Sequence, residues 1–588
     1  MFERSGALVE RKFKEYLLPT ILTSVAVSLA TVVDSVIVGN LLGETALSAV
    51  GLSAPVIYSL NMVYLLFAVG GVTCAAIAKG RREQDDANRV FTLTFAVGIC
   101  AMFALVAGLL VFMRPIVNAL AQGDAVLGEL TRAYLTPLVF VGPVMMLIMG
   151  MAQFVRTDGK PRTAAWIAIV ANVVNLVLDY ILIRFLNTGI AGAAVSTVLG
   201  YVVGILVLVP YLRSKQRTFR FVKLRQGDMR RVKRIAAVGL PKALTQGLSF
   251  LRSLVLNALI VSVLGALGMA AMTVCVNALM LTAMFIGGTN DTLLPIVGTL
   301  YGEKDYKGIR FTVRTGFWVM LTACIAMMAL FFLFPAGVGQ LFGINSPEGI
   351  AVVEPALRMY ALSLPLYGVN LMLQSFFQTT GREKLASLIV SLNGFGFVTV
   401  FALLLARWNG EILWLAFALS ELATFVVVLI MGARIRGKEG VSGVLMLRTD
   451  ADDGLSLDLS IPATVEAANS LSEEVMRFCG EAGADKSGAM RMGIAVEEMA
   501  VNTAHYGHKG KAGMIDVLVR VAEDEMILRL RDDGIPFNPA EYRAEEEQTF
   551  AIGGIEVVRR LAKDVSYARQ LGFNVTIITV PRTAWAGS

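Results

Sequence analysis

Two short stretches of this 588-residue chain place a carboxylate and an asparagine one helical turn apart. In "ANVVNLVLDYILI" Asn175 precedes Asp179 by four residues, and in "EEMAVNTAHYG" Glu498 precedes Asn502 by four. Residues i and i+4 share one face of an α-helix, so each pair can address a common target. The surroundings decide the chemistry. A carboxylate in an apolar run costs roughly 2.5–3.5 kcal/mol at the centre of a membrane helix, and points to a cation or a proton unless it meets water at a helix end. Asp34, in "LATVVDSVIVGN", supplies a second such carboxylate, and Thr197, in "AGAAVSTVLGY", a hydroxyl. Two carboxylates with an amide and a hydroxyl can surround Na⁺ with oxygens or share a proton. On a polar helix, a carboxylate can instead orient or deprotonate a hydroxyl while an amide oxygen holds Mg²⁺.

Those two settings belong to two different parts of the chain. Hydrophobic residues make up 56% and charged residues only 16%. Soluble proteins carry about 25% charged residues, so most of this sequence reads as bilayer-embedded. The charge is uneven. Before residue 445 there are 37 basic and 22 acidic side chains, and from there on 15 and 23. The basic excess reads as loops facing anionic lipid and the cytoplasm, and nucleic acid is not implied. The five cysteines (Cys74, Cys100, Cys275, Cys324, Cys479) are scattered and imply no disulfide framework or metal knuckle.

Twelve apolar spans are long enough to cross about 30 Å of hydrocarbon. They lie near 16–40, 47–78, 90–113, 130–156, 162–186, 190–212, 235–264, 268–300, 310–334, 352–379, 384–406 and 411–434. The loops after spans two, four, six and ten are basic, and "RSKQRTFRFVKLRQGDMRRVKR" (213–234) holds ten basic residues and one acid. The positive-inside rule puts the even-span loops and both termini in the cytoplasm. Gly43 and Gly265, Gly80 and Gly302, Pro143 and Pro365, and Gly159 and Gly381 all share one offset of 222 residues. One offset at four landmarks predicts two six-helix repeats in the same orientation, an architecture that places a transport site between the halves.

The rest of the chain changes period. "LSLDLS", "IDVLVRVAEDEMILRLRDDG" and "NVTIITVPR" alternate as strands do, while "TVEAANSLSEEVMRFCGEAG", "GAMRMGIAVEEMAVNTAHYG" and "GGIEVVRRLAKDVSY" read as helices. The expected fold is therefore an α-helical polytopic membrane protein of twelve transmembrane helices, followed by a cytoplasmic α+β domain. The expected boundaries are a transporter over 1–436 (halves about 10–212 and 235–436, joined by the basic loop 213–234), a linker over 437–454, and the α+β domain over 455–588.

"DSVIVGNLLGETALSAVGLSAPV" (34–56), the two halves and the basic middle loop resemble the multidrug and toxic compound extrusion (MATE) family over about residues 10–436. The resemblance implies export of organic cations or related drugs, driven by inward H⁺ or Na⁺. By the same resemblance Asp34, Asn175, Asp179 and Thr197 match the ion-coupling residues of the branch with a first-half site. Another branch carries its acids in span seven, where this chain has "LSFLRSLVLNALIV", with Arg252 and no acid. Asp291 and Glu421 are further acids of the second half, either of which can pair with Arg252 or line a substrate path.

The tail holds no G-x-x-x-x-G-K-[ST] loop, which excludes a P-loop ATPase. It does hold, in order, Glu498-x-x-x-Asn502, "RDDGIPFNP" with Asp532 and Gly534, and "IGGIEVVRRL" with Gly553 and Gly554. That ordered set resembles the GHKL (Bergerat-type sandwich) ATPase superfamily, most of all the anti-sigma-factor serine kinases, over roughly 455–582. The resemblance implies ATP and Mg²⁺ as cofactors, Glu498 as catalytic base and Asn502 as the Mg²⁺ position. It makes Asp532 and Gly534 adenine contacts, and Gly553 and Gly554 phosphate contacts. Where that family has a further glycine this chain has Glu556. His505 and His508 stand three apart with no third ligand nearby and read as a solvated helix end.

The expected function is a cation-coupled (H⁺ or Na⁺) secondary exporter in the cell (inner) membrane, with an ATP-binding regulatory tail. That tail would act as a serine/threonine kinase on a protein partner, or as a sensor of ATP. The alternatives are a flippase for lipid-linked oligosaccharide and a membrane receptor whose tail is the signalling kinase.

Overall fold

The computed structural model describes residues 3–121, 125–342, 344–439, 441, 443–447, 455–507, 513–542 and 553–583. It forms two compact units: one of Phe13–Lys304 and Val313–Glu439, the other of Met1–Lys12, Asp305–Thr312 and Gly440–Ser588. Half of the expected linker, residues 440, 442 and 448–454, lies outside the described residues, as does His508.

The first unit is helical. Among the described residues nine helices are long and apolar enough to cross a membrane, and eleven when each of two bent pairs counts as one span. The N-terminal helix Ala7–Leu42 contains the first expected span. Each of the twelve expected spans falls on one of these helices or bent pairs. The bent pairs are Ala125–Leu138 with Val141–Thr157 and Pro347–Ala361 with Leu364–Thr379, and both bend by 43°. They are displaced by the same 222 residues as the sequence landmarks. The backbone repeats with them: φ is 86° at Gly43 and 64° at Gly265, 65° at Arg82 and 59° at Lys304. The left-handed region at the glycine pair is where a side chain would be strained, which explains why both halves keep Gly there.

Gly80 and Gly302 meet each other. A Cβ added to Gly80 would lie 2.0 Å from the Thr299 carbonyl oxygen and 2.7 Å from Gly302 Cα. One added to Gly302 would lie 2.2 Å from the Ile77 carbonyl oxygen and 2.7 Å from Gly80 Cα. The helices Ala54–Gly80 and Leu267–Gly302 therefore touch backbone to backbone.

In the second unit five strands form one antiparallel sheet: β1 (Leu455–Pro462), β2 (Met514–Val521), β3 (Glu525–Asp532), β4 (Asp564–Gln570) and β5 (Phe573–Pro581), in the order β1-β2-β3-β5-β4. Helices Val465–Glu481 and Lys486–Asn502 cover one face, burying Leu471, Val475, Met492 and Val496 with Val517, Leu528 and Ile578. Both helices start on a side-chain cap. The Gly488 N–H donates to the Asp485 carboxylate at 2.6 Å and the Ala467 N–H to the Thr464 hydroxyl at 3.3 Å.

One expectation needs correction. The helix expected through "GGIEVVRRLAKDVSY" stops at Leu561, and Asp564–Gln570 is strand β4. Two residues at positive φ, Leu571 (54°) and Gly572 (83°), turn β4 tightly back into β5. That turn fits a two-residue hairpin with the right-handed twist of its strands, so pairing with β5 overrides the local helical pattern.

Candidate functional site

In the membrane unit, the helices Pro161–Arg184 and Ile190–Arg213 pack side by side, brought close by Gly200, where an added Cβ would lie 2.8 Å from Asn175 Cβ. Asn175 Nδ2 donates to Asp179 Oδ2, Ser196 Oγ and Thr197 Oγ1, each at 3.3 Å. The Ser196 hydroxyl donates to Asp179 Oδ1. Asp179 is fully buried. The Asp34 carboxyl, from the first helix, neighbours that of Asp179. Two adjacent carboxyls can share a proton or offer their oxygens to a cation. All four residues singled out from the sequence converge here. Ser196 was missed: its only sequence signal is its place beside Thr197 in an apolar helix.

The acids of the second half have other partners. Asp291 pairs with Arg156 at 3.2 Å. Asn370 Nδ2 donates to Glu421 Oε2 at 2.6 Å and to the Glu421 carbonyl at 2.9 Å, and Asn393 Nδ2 donates to Oε2 at 3.4 Å. A single carboxylate is thus held by two amides, and no second acid meets it in these bonds.

The tail pocket is a cavity of about 280 Å³ lined by Asn502, Tyr506, Asp532, Ile555, Asn574 and Thr576, among others. It lies at the C-terminal end of helix Lys486–Asn502, on the sheet face that the helices cover. Asp532 ends β3, and its Oδ1 accepts from the Gly534 N–H at 2.8 Å and from Asn574 Nδ2 at 2.9 Å. The cross-strand register sets Asn574 directly opposite Asp532. Arg569 Nη1 in turn donates to Asn574 Oδ1 at 2.6 Å, fixing which way that amide faces. At Gly534 an added Cβ would lie 2.7 Å from the Gly507 carbonyl oxygen, so only glycine lets the D-x-G turn pass beneath the loop. Asn574, Thr576 and Arg569 were not found from the sequence, because only strand register brings them to Asp532.

Glu498 lies against the start of the helix Gly553–Leu561, where an added Cβ at Gly554 would sit 1.9 Å from Glu498 Oε2. Burial, followed by the neighbouring charge of Glu497, raises the Glu498 carboxyl above its ordinary value. Asn502 is buried and its Nδ2 has no partner among the described residues. Asn502 thus brings a buried amide to the pocket wall, one turn from the half-buried Glu498 carboxylate, and Ile555 is the wall residue from the helix Gly553–Leu561. The orphaned N–H suits a phosphate oxygen and the amide oxygen a Mg²⁺, so the residues fit a Mg²⁺-nucleotide. Glu556 is 63% exposed and pairs with Arg560 at 2.9 Å, so it points away from the pocket. Among the described residues no cluster of His, Cys, Asp and Glu is arranged to hold a metal by itself.

Repeated apolar helices around buried intramembrane carboxylates, with a nucleotide-type pocket appended, define a multi-pass membrane transporter carrying an ATPase-like domain. The chain belongs to the MatE family, whose model matches residues 19–181 and 241–404, two segments whose starts are again offset by 222. A histidine kinase-like ATPase domain matches residues 461–580. The multidrug export protein MepA of Staphylococcus aureus (strain MRSA252) is 24% identical over 444 residues, covering 74% of this chain and 96% of that protein. Among solved structures, a MOP superfamily transporter from Pyrococcus furiosus aligns with a TM-score of 0.67 at 21% identity, over 74% of this chain and 97% of that one. An aspartate-to-asparagine mutant of the Vibrio cholerae MATE transporter VcmN aligns with a TM-score of 0.68 at 19% identity, over 74% and 98%.

Proposed function

We propose that the chain is a cation-coupled exporter of small organic cations or drugs in the cell membrane, with both termini and the nucleotide-binding tail in the cytoplasm. The observation that carries this reading is the convergence of Asp34, Asn175, Asp179, Ser196 and Thr197 in the first half. Asp34 and Asp179 hold the coupling H⁺ or Na⁺. Asn175 and the two hydroxyls keep the Asp179 carboxylate oriented as the ion enters and leaves. Export is powered by the gradient and needs no ATP.

The tail binds ATP with Mg²⁺. Asp532, held by Asn574 and the Gly534 amide, accepts from the adenine amino group, Asn502 contributes to the Mg²⁺ shell, and Glu498 takes the proton of an attacking serine or threonine hydroxyl. The upward shift of Glu498 brings it nearer neutrality, where a general base works best. Its substrate is a protein partner, and the product reports on or controls transport.

The test is efflux of a fluorescent organic cation from proteoliposomes under an imposed H⁺ or Na⁺ gradient without ATP, comparing wild type, Asp34→Asn and Asn502→Ala. Flux is expected in wild type and Asn502→Ala and lost in Asp34→Asn. Intact flux in Asp34→Asn would sink the coupling assignment, and flux seen only with ATP would make the tail the motor or gate.

A further inference from the structure

The second unit joins three pieces of chain that are far apart in sequence: residues 1–12, residues 305–312 and the tail. One face of its sheet is covered by helices. The opposite face carries Asp458 of β1, Asp516 of β2, and Arg529 and Arg531 of β3, since these alternate with the core residues along each strand. Here the N-terminal segment lies along β1. The Ser460 N–H donates to the Glu3 carbonyl at 3.3 Å, and the Ser5 N–H donates to Ser460 Oγ at 3.0 Å.

Six charged side chains meet on this face. Arg531 Nη1 lies 2.8 Å from Asp305 Oδ2, and Arg4 Nη2 and Arg529 Nη2 lie 3.3 and 3.5 Å from the same oxygen. Arg4 also pairs with Asp516, and its Nε lies 3.5 Å from Asp458. The side chains are 1–9% exposed, with three positive charges balancing three negative ones. Burial alone would raise the Asp305 carboxyl, but the guanidinium groups of Arg531, Arg4 and Arg529 hold it well below the usual carboxylate range. A desolvated cluster of this kind is tolerable only when complete, because losing one member strands the charge of another.

Two features connect the cluster to the nucleotide pocket and to the membrane helices. Arg531, Asp532 and Asp533 are consecutive: Arg531 binds Asp305, Asp532 lines the pocket, and Asp533 binds Arg11. Asp305 immediately precedes the helix Tyr306–Leu333, and its Oδ1 accepts from the Gly308 N–H at 2.8 Å, capping that helix. From Val313 onward the same helix is part of the membrane unit.

We propose that the outer face of the sheet is a docking surface for this chain's own 305–312 corner and N-terminal segment. Nucleotide occupancy at Asp532 is passed through Arg531 and Asp305 to the helix Tyr306–Leu333. The proposal rests on the reading that the tail binds ATP. It also assigns a job to residues 1–12 and 305–312 that transport chemistry does not need.

The experiment uses the full chain in liposomes, with ethidium as the organic cation. The apparent affinity for ethidium is measured with and without MgATP, and that for MgATP with and without ethidium. Coupling is reciprocal, so each ligand should shift the other by the same factor, about fivefold or more. Asp305→Asn and Arg531→Met should each reduce that factor below about twofold while MgATP still binds. Lys307→Ala, which removes a half-exposed partner of Asp458 at the rim, should leave it intact. Coupling that survives both cluster variants, or a wild type that binds MgATP without any shift, overturns the proposal. A wild type that binds no MgATP overturns the reading of the tail, and this inference falls with it.

Discussion

Asn175–Asp179 and Glu498–Asn502 have the same residue types and the same spacing, yet the structure gives them opposite local arrangements. In the membrane unit the amide turns inward and spends its hydrogens on the carboxylate one turn away and on two hydroxyls. In the tail the carboxylate packs against Gly554 and the amide nitrogen has no partner among the described residues. The difference follows from the medium. Lipid offers little water to an orphan polar group, which favours a pair that satisfies itself. An aqueous pocket can leave an amide waiting for a ligand. Spacing puts two groups on one face, and what surrounds that face decides whether they serve each other or something else.

The largest effect is expected where self-satisfaction is removed. Asp179→Asn should abolish gradient-driven flux by about 100-fold, the order of about 3 kcal/mol expected for losing a buried charged partner. Flux in this variant within about twofold of wild type would mean that the cluster is structural. Next comes the tail. Gly554→Ala should cost MgATP affinity or turnover about tenfold, because the methyl must displace the Glu498 carboxylate, and flux without ATP should be unchanged. A tail indifferent to that methyl would mean Glu498 is not held there.

A smaller effect is expected from pH. The Glu498 carboxyl is raised by burial and by Glu497, so it is protonated over a window that lies above the ordinary glutamate value of 4.5. Phosphotransfer or ATPase turnover should therefore fall with acidification on a limb above that value. A limb at or below it would remove Glu498 from the role of base. The smallest effect is expected at Glu556→Gln, within about 0.5 kcal/mol in stability and with little change in ATP binding, because the carboxylate is solvent-exposed. A clear gain in ATP affinity would show that Glu556 acts on the phosphates after all.

The membrane architecture was legible because each span is a long apolar run and because a single offset recurs. Asp34 and Asp179 stood out since an acid in such a run is costly. Ser196 did not, since a serine in an apolar helix costs little and signals little. In the tail, Glu498, Asn502, Asp532 and Gly554 were singled out by ordered motifs. Asn574 sits in an ordinary strand and acquires its role only from register with β3. Strand β4 was hidden because "RRLAKDVSY" continues a helical pattern until the tight turn at Leu571–Gly572 forces pairing. The Arg4, Asp305 and Arg531 cluster joins segments hundreds of residues apart, and no local pattern carries such a contact.

The meeting of Gly80 with Gly302 has a further consequence. These two residues are equivalents in the internal repeat, and each is the other's neighbour. A contact between equivalent positions is what a two-fold axis produces when two identical subunits pair. The two halves of this polypeptide thus meet there as the members of a symmetric dimer would, around a point where neither side can carry even a methyl group. Whatever diverged later in the carboxylates of one half and the amides of the other, that point still obliges both halves to keep the same residue.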